Sequence, residues 1–192
     1  MAFAVVFFVL SACALSAVAE TGTSGQCSQG NLWDFLQVGV QVDMLKRSFT
    51  PRGGANTVCL TSTTKEIDAK NFEVSQKIEF GPELSRKSLY QKYWVLSNTT
   101  MRTTSDTGLP HARYELLKAG TNCAVVNVTY IDDSAGDITK LEGDSPSNCV
   151  LWVKDSDKRN PDQCCSEYYT QNCQSKQGQE VYKVDECKNT LK

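Results

Sequence analysis

NPDQCCSEYYTQNC (160–173) sets two cysteines side by side and a third eight residues on. Adjacent thiols suit a metal site, a redox pair, or two covalent staples that leave one segment in different directions. A bridge between the two neighbours is disfavoured. Consecutive Cα atoms lie about 3.8 Å apart, closer than a relaxed disulfide allows. On a helix the side chains of Cys164 and Cys165 diverge by about 100°. Structural zinc calls for spaced cysteine or Cys/His sets such as C-x2-C, and His111 is the sole histidine. A C-x-x-C redox motif is absent. Two structural staples remain the best account. The flanking residues predict a helix of three to four turns. Asn160 is a good N-cap, Pro161 suits the first helical position, and Asp162 sits where the helix dipole favours an anion. Cys165, Tyr169 and Cys173 recur every four residues, so one stripe lies against something apolar.

Staples require an oxidising compartment, and the start of the chain agrees. Residues 2–19 carry no charge, are rich in Phe, Val, Leu and Ala, and end Ala17-Val18-Ala19. This reads as a signal peptide cleaved before Glu20, although Lys and Arg are missing near its start; a retained anchor is the alternative. Cleavage of 19 of the 192 residues leaves 173, enough for one domain (20–192) with a real core. Of nine cysteines, Cys13 leaves with the leader, and eight remain: Cys27, Cys59, Cys123, Cys149, Cys164, Cys165, Cys173 and Cys187. An even set in a secreted chain reads as a disulfide framework, with on the order of a hundred possible pairings. The net charge is -2, and Lys46-Arg47 and Arg86-Lys87 are short, diluted basic spots. No nucleic-acid partner is expected, because that needs a clustered basic face. No later stretch is apolar enough to cross a membrane, so a secreted, extracellular protein is expected. The sequons at Asn98 and Asn127 fit that location as glycosylation sites.

Between the leader and the helix the chain reads as strands. NLWDFLQ (31–37) forms a short helix, capped by Asn31, with Trp33 and Leu36 on one face. Val38, Val40 and Val42 then alternate, and TVCLTSTTKEID (57–68) is rich in Thr and Val. In NFEVSQKIEF (71–80), Phe72, Val74, Ile78 and Phe80 share a face. YQKYWVLSNTT, ARYELLKAG, NCAVVNVTYI and CVLWVKD continue the series. Seven or eight strands in a row, with no helical pattern of about twelve residues between them, predict an all-β antiparallel sandwich or barrel. DDSAGDITKLEGDSPSN (132–148) is a polar connection with room for a hairpin.

No catalytic constellation stands out. Ser62 to Lys65 matches S-x-x-K, but the companion motifs of that nucleophile are missing. Asp132 and Asp133 read as a polar turn, and His111 has no evident Ser or Cys partner. No enzyme activity, metal or cofactor is expected.

Taken together, CVLWVKD, the following PDQCC, the third helix cysteine and terminal Cys187 resemble the tick salivary lipocalins. The likeness falls nearest the soft-tick group that includes moubatin and the tick complement inhibitor. It spans most of the mature chain: an aromatic N-terminal helix, a strand ending Arg47-Ser48, NCAVVNV, a C-x-x-W strand, then a helix opening Cys-Cys. The resemblance implies an eight-stranded antiparallel lipocalin barrel with a C-terminal helix packed outside. Family bridging implies Cys27–Cys164, Cys59–Cys187 and Cys123–Cys165. That leaves Cys149 and Cys173 for a fourth bridge. A monomer is expected.

A small closed barrel can hold one small ligand. If Phe80 points inward, so do Ile78 and Gln76; if Trp94 does, so does Leu96. Leu36 and Trp152 join these as candidate lining residues, and Arg113 is the candidate partner for a ligand carboxylate. Each aromatic could equally be core packing, and a slip of one residue would turn Arg113 to solvent. The resemblance implies that the ligand is a host inflammatory or haemostatic mediator. Amine-binding relatives carry acids in Cys-Asp and Glu-Leu-Trp patterns. Here those places read Cys123-Ala124-Val125 and Val150-Leu151-Trp152. Burying an amine without a carboxylate is costly, so an eicosanoid or fatty acid is favoured over histamine or serotonin. Two alternatives stay open. One is a surface-mediated inhibitor of a host complement, platelet or clotting protein, acting through loops near Arg52-Gly53 and Asp132-Asp133. The other is an abundant salivary protein without a single ligand.

Overall fold

The structure is a computed structural model, and it describes residues 27–51, 57–104, 111–131, 148–173 and 178–187. The leader, Cys13, Arg52, Gly53, Asp132 and Asp133 lie outside the described residues. Eight antiparallel strands close into a barrel: β1 (Gln41–Arg47), β2 (Thr61–Asp68), β3 (Glu73–Phe80), β4 (Lys87–Ser97), β5 (Thr100–Thr103), β6 (Ala112–Ala119), β7 (Cys123–Tyr130) and β8 (Cys149–Lys154). Neighbours in sequence are neighbours in the sheet, and β1 closes the ring by pairing with both β8 and β2. Helix α1 (Gln163–Asn172) packs outside, and a two-residue strand, β9 (Gln179–Glu180), adds to the far half of β1.

One end of the barrel is plugged from within. Asn31 Oδ1 accepts from the Trp33 amide and caps a 3-10 turn, Leu32–Asp34. Its apolar residues Leu32, Phe35 and Leu36 are buried in the main core. The Leu32 amide donates to the Asn98 carbonyl at the β4–β5 turn, and Ser28 bridges to Ala119 at the end of β6. Gly30 makes this approach possible. Its φ is +72°, and a Cβ there would lie 2.3 Å from the Ala119 Cβ. Only glycine meets both demands without strain.

The outer face of β7 and β8 carries a second core. Cys123, Val125, Cys149, Leu151 and Val153 pack there under Cys165, Tyr169 and Cys173 of the helix segment. Covered on both faces, these strands read as near-continuous apolar runs, CAVV and CVLWV. Four disulfides hold the shell: Cys27–Cys164, Cys59–Cys187, Cys123–Cys165 and Cys149–Cys173. The first three are the pairs implied by the resemblance, and the fourth joins the two cysteines those pairs leave over. Cys164 and Cys165 do leave the helix in different directions, one to the N-terminal arm and one to β7. The sulfurs of Cys27, Cys164 and Cys165 lie within 4.8 Å of one another. All three are bridged, so none is the thiolate a metal would need.

Several local expectations are corrected. The helix starts at Gln163, not at Pro161, and its N-cap is Asp162. The Asp162 carboxylate accepts from the Thr121 and Asn122 amides at 2.6 and 3.3 Å, so it ties the helix entry to the β6–β7 turn. Val38 lies in a turn before β1 and is exposed. Phe72 does not share the face of Val74 and Ile78. Its φ of +55° is left-handed, and the side chain is exposed ahead of β3. The run YWVLSNTTM is two strands, with Asn98 and Thr99 at the turn between them.

Candidate functional site

The barrel encloses a cavity of about 290 Å³. Its lining follows from strand alternation. Val42 and Met44 of β1, Gln76 and Ile78 of β3, Tyr93 of β4 and Tyr114 of β6 point in, as do Ala124, Val126 and Val128 of β7 and Val150 and Trp152 of β8. Leu32, Phe35 and Leu36 form the floor. Phe49, Pro51, Thr57, Phe80 and Tyr130 line the end away from that plug.

Among the described lining residues Arg47 alone carries a formal charge. It is the last residue of β1 and only 3% exposed. Its Nε donates to Gln179 Oε1 at 2.8 Å, and its Nη1 donates to Thr57 Oγ1 at 2.6 Å. Burial pushes its pKa down from the ordinary guanidinium value, yet arginine keeps its proton at physiological pH. No carboxylate lines the cavity among the described residues. The arginine therefore faces inward with neutral partners and a planar fork of five donors.

Strict alternation after Val42 and Met44 would place Lys46 inside and Arg47 outside. A bulge intervenes: pairing with β8 shifts register between Met44 and Lys46, so that Arg47 lies opposite inward-facing Val150. Bulges are a known means of re-aiming one side chain. The sequence offered Arg47 only as part of a basic spot and of the strand-ending Arg-Ser pair. Nothing in its periodicity marks the bulge.

Other polar groups stand deeper. Ser62 Oγ donates to Gln76 Oε1 at 2.9 Å, and Gln76 Nε2 donates to Thr64 Oγ1 at 3.2 Å, all three buried. Ser62 thus faces the cavity while Lys65 is exposed on the outer side, so the S-x-x-K reading has no dyad. Tyr93 and Tyr114 meet edge to face at 5.8 Å. Burial raises both phenol pKa values well above the ordinary range, so the hydroxyls stay neutral.

Of the candidate ligand residues, Leu36, Ile78, Phe80 and Trp152 line the cavity, whereas Trp94, Leu96 and Arg113 do not. On β4 the inward set is Gln91, Tyr93 and Val95, which turns Trp94 and Leu96 outward, Leu96 being 53% exposed. Trp94 is half-buried there because its indole N–H donates to Glu73 Oε1 at 2.9 Å and the Arg102 guanidinium lies 4.5 Å above its ring. Arg113 lies between inward-facing Ala112 and Tyr114 on β6, so it belongs to the outer face. Of the sequon asparagines, Asn98 is exposed at the β4–β5 turn, and Asn127 is half-buried in β7 opposite Cys149. The loop residues invoked for a surface-acting inhibitor lie outside the described residues.

The family model described as tick histamine binding protein matches residues 24–189. Among curated proteins none matches significantly. Among solved structures the chain is similar to AM182 in a serotonin complex, at 12% identity and a TM-score of 0.58, covering 83% of this chain and 95% of that one. It is also similar to japanin from Rhipicephalus appendiculatus bound to cholesterol, at 11% identity and a TM-score of 0.52, covering 78% of this chain and 95% of that one. At such identity these likenesses speak for the shared barrel.

Proposed function

The chain belongs to the tick histamine binding protein family, whose members are ligand-binding lipocalins and not enzymes, and on that premise we propose that it sequesters a small lipid mediator bearing one carboxylate. The class is that of eicosanoids and fatty acids, taken from host fluid by a secreted protein. Arg47 carries the reading. It is the charged group among the described lining residues, it is buried, and its partners are neutral. A ligand carboxylate set against the guanidinium would gain charge-assisted, bidentate hydrogen bonds in a medium that strengthens them. The apolar tail would run toward Trp152 and Leu36 on the plugged side.

A biogenic amine fits less well. The positions that hold acids in amine-binding relatives are Ala124 and Val150 here, and both line the cavity. An ammonium group would be buried near Arg47 without a carboxylate, which is costly. Serotonin and cholesterol in the two similar structures support a small-molecule ligand in this barrel.

The test is native mass spectrometry of protein secreted from eukaryotic cells, followed by calorimetric titration with a twenty-carbon polyunsaturated fatty acid, serotonin and histamine. Fatty-acid binding that weakens in Arg47→Met supports the reading. Tight serotonin or histamine binding without fatty-acid uptake would overturn the lipid preference.

A further inference from the structure

One row of side chains crosses the outer face of five strands. Register places Glu73 of β3 beside Trp94 of β4, Trp94 beside Arg102 of β5, Arg102 beside Arg113 of β6, and Arg113 beside Thr129 of β7. Lys92 and Tyr90 continue outward-facing along β4, and Tyr90 is 59% exposed. Among the described residues no carboxylate lies within ion-pair reach of Lys92, Arg102 or Arg113. Glu73 is the acid in the row, and it accepts from the Trp94 indole. Two arginines therefore stand directly opposite each other on adjacent strands without an anion between them. Like charges so placed destabilise a sheet. In addition, the Arg113 Nε is buried and has no hydrogen-bond partner among the described residues, which leaves a desolvated donor without an acceptor there.

We propose that this row is an oxyanion-binding surface for a sulfated saccharide chain. A sulfate set beside Arg102 and Arg113 relieves their repulsion and accepts charge-assisted hydrogen bonds from the outer nitrogens of both guanidiniums. Four disulfides place the chain in an oxidising, extracellular setting. There the abundant polyanions are sulfated and carboxylated saccharides rather than phosphate polymers. Tyr90 favours a sugar over a bare anion. It stands four residues from Trp94, about 13 Å along the strand, and offers an apolar face to sugar C–H groups beside Lys92. The surface lies outside the barrel, so occupancy does not compete with a ligand inside.

Heparin-affinity chromatography at neutral pH tests this, run beside a sulfopropyl cation exchanger. The net charge of -2 gives no general reason for retention on either resin. Expected are retention on heparin, elution at higher salt than from the exchanger, and displacement by soluble heparin but not by equimolar inorganic sulfate. Arg102→Ala with Arg113→Ala should lose retention. Arg102→Lys with Arg113→Lys, which keeps the charge but not the fork, should elute earlier than wild type. Lys65→Ala with Lys70→Ala makes the same charge change at exposed residues elsewhere and should elute as wild type. Thermal melting confirms that each variant is folded. Flow-through of the wild type, equal elution from both resins, displacement by sulfate alone, or unchanged retention of the arginine double variant overturns the proposal.

Discussion

On the proposed reading Arg47 couples two requirements in one side chain: it must be buried to meet a ligand, and it must be held so that burial does not unfold the barrel. Thr57 and Gln179 meet the second need with two hydrogen bonds. Replacing it by Met keeps the stem volume and removes the charge. Fatty-acid affinity should fall roughly 10- to 100-fold, the loss of a hydrogen-bonded charge contact, with little loss of melting temperature. Val150→Glu should act more strongly. It places a carboxylate directly across from Arg47, so an internal ion pair replaces the ligand's, and calorimetry should show fatty-acid uptake abolished. Asp43 is the converse case, a buried acid on the outer side of β1. It is fully buried, and burial followed by nearby Asp155 lifts its pKa from 3.8 to about 6 against the pull of Gln41 and Lys158. The folded state thus holds the proton more tightly than the unfolded chain. This group's contribution to stability is full below pH 3.8 and is lost as pH rises through about 6. At about 1.4 kcal/mol per pKa unit, Asp43→Asn should raise stability at pH 7.5 by up to about 3 kcal/mol. Urea melts from pH 4 to pH 7.5 would show the wild-type decline flattened in the variant.

At the level of elements, the two ends of the C-terminal region do different jobs. Cys149–Cys173 ties the end of α1 to the start of β8 across a separation of 24 residues; it lies beside the Arg47 end of the barrel but on the outer face, and it holds neither hydrogen-bond partner of Arg47. Cys59–Cys187 anchors the segment that carries β9, and β9 carries Gln179, the partner of Arg47. Removing either bridge by paired Ala substitution should cost about 3–5 kcal/mol. Only Cys59→Ala with Cys187→Ala should also weaken fatty-acid binding, and titration of both variants below their melting temperatures separates the two roles. This scale also shows where sequence reading succeeds and where it stops. The helix stripe Cys165, Tyr169 and Cys173 and the inward set Ile78 and Phe80 are periodic, and periodicity is what a sequence displays. Arg47 was hidden by a bulge, which shifts parity without a residue-type signature. Trp94 and Leu96 were misread because an amphipathic tryptophan fits the outer face once Glu73 and Arg102 are beside it, and those neighbours come from other strands. Asn98 ends β4 at a turn that the Thr-rich run conceals.

For the whole molecule, the barrel interior and the outer face of the sheet are separate compartments, and the tryptophans report on them separately. Trp152 lines the cavity, Trp94 sits on the outer face, and Trp33 packs beside the plug. A ligand held inside should change Trp152 emission, and Trp152→Phe should abolish most of the fluorescence response while calorimetry still registers binding. Asn98 lies at the plugged end, away from Arg47, so a glycan there should leave affinity unchanged. Enzymatic deglycosylation with intact-mass measurement, repeated on Asn98→Gln, checks occupancy and affinity together. The closure of the ring has a further consequence. β1 pairs with β2 only through Asp43, with a last bond from the Met44 amide to the Leu60 carbonyl. Beyond that point the seam is bridged by residue 181, whose amide donates to Leu45 and whose carbonyl accepts from Cys59. Strands β1 and β2 therefore wait for a segment made more than a hundred residues after them. A nascent chain that stops before residue 179 leaves Arg47 without Gln179 and leaves Cys59 without its thiol partner. Closure of the seam therefore waits on the arrival of Cys187 rather than on the folding of any single hairpin.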